Sequence, residues 1–235
     1  MALESTSLSL PDEVDRAFPD YSLYPEWESD LGMTTRGCPR NCYFCFVPKK
    51  EGKFRRYQHP SEFHLEGHKS AVLMDNNILA DPDWFFEVTD WYIERNIKID
   101  FNQGLDLRLM TPEIARQLKR CKRLKGWHFA FDSMSYREEV EAGIEMLYDA
   151  GINLRSCANF YVYCHNDSQV EDAKKRCDIL RSHNCLPYVM INRETEKTQA
   201  MTDLKRWTRP QIFFQTSFED YHRHRKDIKK KEETS

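Results

Sequence analysis

The chain has 235 residues, 40% hydrophobic and 31% charged, with 35 Lys and Arg against 38 Asp and Glu for a net charge of -3. This composition suits one domain, or one with short appendages, and excludes a globally basic nucleic-acid binder; apolar runs of only strand length exclude a membrane span. Eight cysteines in a chain this long do not make a disulfide scaffold, and Met1-Ala2-Leu3-Glu4 lacks the pattern of a secretory signal, so a reducing, cytoplasmic setting is expected.

Residues 1–29 carry Pro11, Pro19 and Pro25 and scattered aromatics (Phe18, Tyr21, Tyr24, Trp27) without sustained periodicity. They read as an arm that packs by its aromatics. Residues 31–36 read as a first strand that delivers a loop containing Cys38, Cys42 and Cys45. The run Lys49-Lys50-Glu51-Gly52-Lys53-Phe54-Arg55-Arg56 follows, with five basic residues in eight. It is either a solvated loop or a site for an anion. Residues 71–74 form a continuous apolar run, as in a strand buried on both faces of a parallel sheet.

Asp81-Pro82 has the chemistry of a helix start. Trp84, Phe85, Val88, Trp91 and Tyr92 then repeat at helical spacing as a buried stripe. Residues 97–101 make the next strand. Thr111-Pro112 opens a helix with Ile114, Leu118 and Cys121 on one face. Residues 127–131 form a fourth strand. Ser135 with Glu138 reads as a capping box for a helix facing inward through Val140, Ile144 and Leu147 and ending at Gly151. A fifth strand lies within 157–163. Ser168 with Glu171 reads as a second capping box, for a helix with Ala173, Cys177 and Leu180 inward. Residues 187–191 are the sixth strand. Such alternation, with a strand about every thirty residues, indicates βαβ units and a parallel sheet with right-handed crossovers. Beyond 195, Trp207, Phe213, Phe214 and Phe218 are expected to fold back over the barrel's open side. His222-Arg223-His224-Arg225-Lys226 and Lys229-Lys230-Lys231 make a basic, frayed terminal helix.

The three loop cysteines are spaced C-x3-C-x2-C. Sulfur ligation selects zinc or an iron–sulfur cluster. A structural zinc site closes with a fourth Cys or His at short spacing, and none follows before His59. Three ligands suggest a [4Fe-4S] cluster with one iron open, where most clusters have four cysteines. With Phe44 as the aromatic in C-x3-C-x-aromatic-C, the loop resembles the signature of the radical S-adenosylmethionine (radical SAM) superfamily. The phrases Thr-Thr-Arg-Gly-Cys-Pro and Phe-Asn-Gln-Gly-Leu-Asp-Leu-Arg look like a small, compact member.

The resemblance implies an open partial (β/α)6 TIM-like barrel of parallel strands over residues 30–195. An N-terminal arm, 1–29, would precede it, and a C-terminal extension with a basic tail, 196–235, would follow. No cobalamin domain is expected before the barrel and no cysteine-rich domain after it. It further implies a [4Fe-4S] cluster on Cys38, Cys42 and Cys45, with S-adenosyl-L-methionine on the open iron. An electron donor such as flavodoxin or ferredoxin would drive its cleavage to a 5′-deoxyadenosyl radical. That radical would abstract hydrogen from an unknown substrate, an anion being one candidate. The competing reading is a non-enzymatic zinc or iron–sulfur module that binds nucleic acid through 49–56 and the tail.

In parallel α/β barrels the working groups lie at the carboxyl ends of the strands. The second strand ends at Asp75-Asn76-Asn77, the third at Asn102-Gln103 with Asp106 and Arg108 beyond, the fourth at Asp132-Ser133. The fifth ends at Cys164-His165-Asn166 and the sixth at Asn192-Arg193-Glu194. The resemblance assigns the methionyl ammonium to Asp75, Asn76 and Asn77 by position, since they depart from the family's Gly-Gly-Glu. Arg108 suits the methionyl carboxylate, because a guanidinium fork pairs bidentately. Gln103 and Asp132 are placed for the ribose hydroxyls, and Phe44 for the adenine. Phe160-Tyr161-Val162-Tyr163 stands where the family has a glycine-rich motif. Cys157, Cys164, Cys177 and Cys185 contain no C-x2-C pair, so a second cluster is not expected. Cys164, at a strand end, is the one catalytic candidate beyond the cluster ligands, provided its thiol is accessible.

Overall fold

The computed structural model describes residues 10–192 and 194–233, with side chains through Arg225 and excepting Asp12. The first nine residues of the arm, Arg193 and the side chains of Lys229, Lys230 and Lys231 lie outside the described residues. The chain divides after Trp127 into two compact units, each mixed α/β.

The first unit runs α1 Asp12–Asp15, β1 Ser29–Gly32, β2 Thr35–Arg36, α2 Val47–Glu51, β3 Arg55–Arg56, β4 Ser70–Leu73, α3 Pro82–Glu94, β5 Lys98–Phe101 and α4 Pro112–Arg120. Strands β1, β4 and β5 form a parallel sheet in that order, and every position of β4 is buried, as its unbroken apolar run requires. Asp81 caps α3 by accepting from the Trp84 amide, and Thr111 caps α4 by accepting from that of Ile114. The expected strand over 31–36 is two strands. β1 stops at Gly32, and β2 pairs antiparallel with β3. The break has a cause: the amides of Thr34 and Thr35 turn to the Asp75 carboxylate instead of continuing the ladder.

The arm packs by its aromatics in part: Tyr21 meets His68 and Phe18 edge-on at 4.9 and 5.8 Å. Phe18, Tyr24 and Trp27 remain 53%, 72% and 49% exposed. Charge and one tyrosine hold it: Asp15 accepts from Arg36 at 2.7 Å and from the Tyr57 hydroxyl at 2.6 Å, Arg16 pairs with Glu62, and Tyr21 donates to the Phe63 carbonyl.

The second unit takes up β6 Trp127–Ala130 after its first residue, then α5 Arg137–Asp149, α6 Leu154–Cys157, β7 Ala158–Cys164, α7 Val170–Ser182, β8 Pro187–Ile191, α8 Gln199–Trp207, α9 Pro210–Phe213 and α10 Phe218–Glu233. Its sheet has the order β6-β7-β8, with β7 and β8 parallel from Phe160↔Pro187 to Cys164↔Ile191. Neither expected capping box forms. A 3-10 turn, Met134–Tyr136, precedes α5 and is capped by Ser133, while Ser168 lies inside a second such turn, Asp167–Gln169, before α7. Both helices therefore start beyond the residues read as caps.

Arg176, 1% exposed, donates to the Phe131 and Tyr163 carbonyls and pairs with Asp172, tying α7 to the ends of β6 and β7. The aromatic residues after 195 bury each other. Trp207 meets Phe213 and Phe218 edge-on at 4.8 and 5.5 Å and donates to the Thr216 carbonyl. α10 packs on α8, and the buried Asp203 accepts from His222 at 2.8 Å. The parallel strands thus belong to two three-stranded sheets, one per unit. No helix among the described residues is long and apolar enough to cross a membrane.

Candidate cofactor site at the cysteine loop

Cys38, Cys42 and Cys45 are all partly exposed and none is disulfide-bonded. The turn that launches their loop depends on Gly37, whose φ of 73° favours glycine. A Cβ there would stand 2.4 Å from the Lys53 carbonyl oxygen, because the backbone of the following segment crosses directly over it. Inside the loop the Cys45 amide donates to the Cys42 carbonyl at 3.0 Å.

Glu51, at the end of α2, anchors the loop to the strand ends. Its Oε2 accepts from the Gly37 amide at 2.9 Å and from Asn76 Nδ2 at 2.8 Å, and its Oε1 lies 3.6 Å from Arg36. Sequence reading passed over Glu51; the available signal was a lone acid inside a basic run. That run is only partly available to an anion. Arg56 is bidentate on Asp81 and lies over the Trp84 ring, and Arg55 donates to the Glu51 carbonyl.

Two N–H groups are directed at the Cys38 sulfur: the Arg40 amide at 3.4 Å and Asn77 Nδ2 at 3.8 Å. Asn77 Nδ2 also reaches Asp106 at 3.2 Å. Asp106 gathers two guanidinium groups, Arg40 at 2.9 Å and Arg108 at 2.6 and 3.0 Å. Burial acts to raise the Asp106 pKa, but the hydrogen bonds and charges of Arg108 and Arg40 outweigh it and hold the carboxyl below its usual value. Two positive charges against one negative leave this trio with one net positive charge.

Asp75 sits at the end of β4, fully buried. Its Oδ1 accepts from the amides and hydroxyls of both Thr34 and Thr35. Burial nevertheless raises its pKa, with the threonine hydrogen bonds opposing. Asp75 Oδ2 and Asn77 Oδ1 are buried acceptors without a donor among the described residues.

Of the other expected site residues, Phe44 is partly exposed and edge-on to Tyr43 at 5.2 Å, and Gln103 is exposed in the turn after β5. Asp132 belongs to the second unit, where its Oδ1 accepts from the Tyr163 amide at 2.8 Å and its own amide donates to Tyr136. Cys164 is fully buried, and burial pushes its thiol up to about 11, so the accessible, reactive thiol considered for it is absent. The first unit thus brings together Cys38, Asn76, Asn77, Asp106 and Arg108, with Arg40 and Glu51.

The donor set fits a sulfur-ligated cluster. N–H groups aimed at a ligand sulfur are one means by which proteins tune such clusters. The orphaned acceptor on Asn77 suits an ammonium, and the net positive trio suits a carboxylate. Among the described residues no three His, Cys, Asp or Glu side chains converge to hold one metal ion.

No protein-family model and no curated protein matches this chain. Among solved structures it is similar to TsrM from Kitasatospora setae, a radical S-adenosylmethionine methyltransferase whose structure has cobalamin and a [4Fe-4S] cluster bound. The TM-score is 0.55 at 12% identity, over 69% of this chain and 36% of that one. The chain therefore spans about a third of the length of this neighbour. The likeness shows a shared fold.

Proposed function

We propose that the chain is a radical SAM enzyme in which Cys38, Cys42 and Cys45 hold a [4Fe-4S] cluster. The observation that carries this reading is the convergence of the β4 and β5 ends on the cysteine loop, with Asn77 bonded to both Cys38 and Asp106. The shared fold supports it. Cys38, Cys42 and Cys45 would hold the cluster, whose chemistry would be one-electron reduction of the sulfonium of S-adenosylmethionine to methionine and a hydrogen-abstracting 5′-deoxyadenosyl radical.

The protein's own groups have separate tasks. The Arg40 amide and Asn77 Nδ2 hold the Cys38 sulfur in place by donating to it. Asn77 Oδ1 accepts from the methionyl ammonium. Arg108, kept in place by Asp106, meets the methionyl carboxylate. Asp75 is a positioning residue: it shapes the Thr34-Thr35 turn from which the loop departs. Glu51 locks that loop to Asn76. Phe44 lies against the adenine. The ribose role of Gln103 is proposed on strand position alone. The substrate is open, and a flavodoxin or ferredoxin fits the need for an electron.

Protein reconstituted with iron and sulfide without oxygen should be brown, bind about four irons, and once reduced convert S-adenosylmethionine to 5′-deoxyadenosine. A colourless protein holding one tight zinc would overturn the reading.

A further inference from the structure

We propose that the second unit carries a binding site for a nucleoside phosphate, either free or at the exposed end of a nucleic-acid strand. This goes beyond the chemistry of the cysteine loop and does not depend on it. The site is a cavity of about 630 Å³ beside the outer strand β8. That volume lies within the range of small-ligand pockets, about 300–1,000 Å³.

Along β8, side chains alternate between faces: Pro187 and Val189 are buried and Tyr188, between them, is 50% exposed. Tyr161 on β7 is the register partner of Tyr188 and meets it edge-on at 5.9 Å. His128 on β6 stacks on Tyr161 at 5.4 Å with only 4° between planes. An aromatic row therefore crosses all three strands of the sheet and ends at the cavity in its most exposed ring. Asn159, next but one to Tyr161 on the same face of β7, also lines the cavity.

The rim is cationic. Lys197, Lys205, Arg206 and Arg209 line the cavity, and no Asp or Glu among the described residues does. Lys205 Nζ lies 6.0 Å from the centroid of the Tyr188 ring. Several arginines elsewhere in this net-acidic chain are matched, as in Arg36–Asp15, Arg40–Asp106, Arg56–Asp81 and Arg176–Asp172. The four rim cations have no ion pair among the described residues. A bland explanation covers half of them: Lys205 and Arg206 occupy the last turn of α8, where a cation suits the helix dipole. It does not cover Lys197 and Arg209, which reach the same cavity from the segments on either side of α8.

The combination selects the ligand. Unpaired guanidinium and ammonium groups bind phosphate oxygens, the former bidentately. An exposed tyrosine face stacks a nucleobase whatever its identity. The Asn159 amide offers both a donor and an acceptor to a base edge. An acidic peptide would satisfy the cations but leave the tyrosine face unused, so it is the less suited partner.

The test measures adenosine monophosphate, inorganic phosphate, a short 5′-phosphorylated single-stranded RNA and polyglutamate against the full chain, by calorimetry and fluorescence anisotropy. Adenosine monophosphate should bind more tightly than inorganic phosphate. Tyr188→Ala should weaken the nucleotide at least about fivefold and leave inorganic phosphate unchanged. Charge reversal of two exposed rim residues, Lys205→Glu with Arg209→Glu, should weaken both about tenfold or more and flatten the salt dependence. RNA binding tighter than the nucleotide identifies a strand end as the source; equal binding identifies the free nucleotide. The proposal is overturned if polyglutamate competes as well as the nucleotide, or if the reversals change nothing. Cys42→Ser should bind adenosine monophosphate like the wild type, so loss of the cluster reading and loss of this site are told apart.

Discussion

Cys38, Cys42 and Cys45 stand on a loop at the end of a parallel sheet, partly exposed, with amide donors turned toward one of their sulfurs. Cys157, Cys164, Cys177 and Cys185 are buried in the second unit, and burial pushes Cys164 up to about 11 and Cys185 up to about 12. The residue type is the same and its surroundings are opposite. A buried thiol behaves as a small hydrophobe, because desolvation disfavours the thiolate that a metal ligand must be. The contrast extends to the polar groups around them. In the first unit Asn77 and Asp75 keep buried oxygens without donors among the described residues, whereas in the second Arg176 is bonded to two carbonyls and a carboxylate.

The sharpest way to break this comparison is to exchange one cysteine from each group for serine. Cys42→Ser should abolish both cluster absorbance and 5′-deoxyadenosine formation, a loss of at least about a hundredfold. Cys177→Ser should leave the cluster spectrum intact and lower stability by about 1–3 kcal/mol, because a hydroxyl is placed in a site that offers it no water. Equal cluster loss in both variants would mean the groups are not functionally distinct.

Arg176→Met tests whether the second unit's polar network is structural. The change leaves the Phe131 and Tyr163 carbonyls without their donor and should cost about 2–4 kcal/mol in denaturant unfolding. The cluster spectrum of the folded variant should not change. Gly37→Ala probes the first unit in the same way at a smaller scale. The φ of 73° and the Cβ position 2.4 Å from Lys53 force the backbone to move. Strain of about 1–3 kcal/mol is expected. It should appear as reduced cluster content per chain, with the second unit's melting behaviour unchanged.

Much of this was legible beforehand where local chemistry decided it. The caps at Asp81 and Thr111, the buried run through β4 and the alternation of strand and helix all follow from short-range rules. What escaped depends on residues distant in sequence. The first strand breaks because Asp75 captures the Thr34 and Thr35 amides from forty positions away, which no window around the strand reveals. The two false capping boxes had the right residues, but a short 3-10 turn moved each helix start past them. Of the site, the cysteines and the Asn76-Asn77 and Asp106-Arg108 strand ends were visible as motif and position. Glu51 and Arg40 were not, since each looks like an ordinary surface charge until the loop folds over it.

The smallest expected effect separates the two carboxylates of the site by sign. The Asp106 pKa is depressed below the usual 3.8, so its pairing with Arg108 and Arg40 stabilises the fold fully at neutral pH. That contribution is lost only as pH falls through the depressed value. Asp75 is raised above 3.8, so burial of its charge weighs against the fold at neutral pH, and stability gains as pH falls through its raised value. Asp106→Asn should therefore lower the melting temperature by a constant amount from pH 7 down to about pH 5, with the gap to wild type closing below pH 4. Asp75→Asn should show a gap that changes at higher pH, in the opposite sense, because the neutral amide never carries the buried charge. Melting curves on the cluster-free protein across this range check both, and parallel pH profiles for the two variants would contradict the charge assignment that places Asp106, not Asp75, in direct service of the arginines.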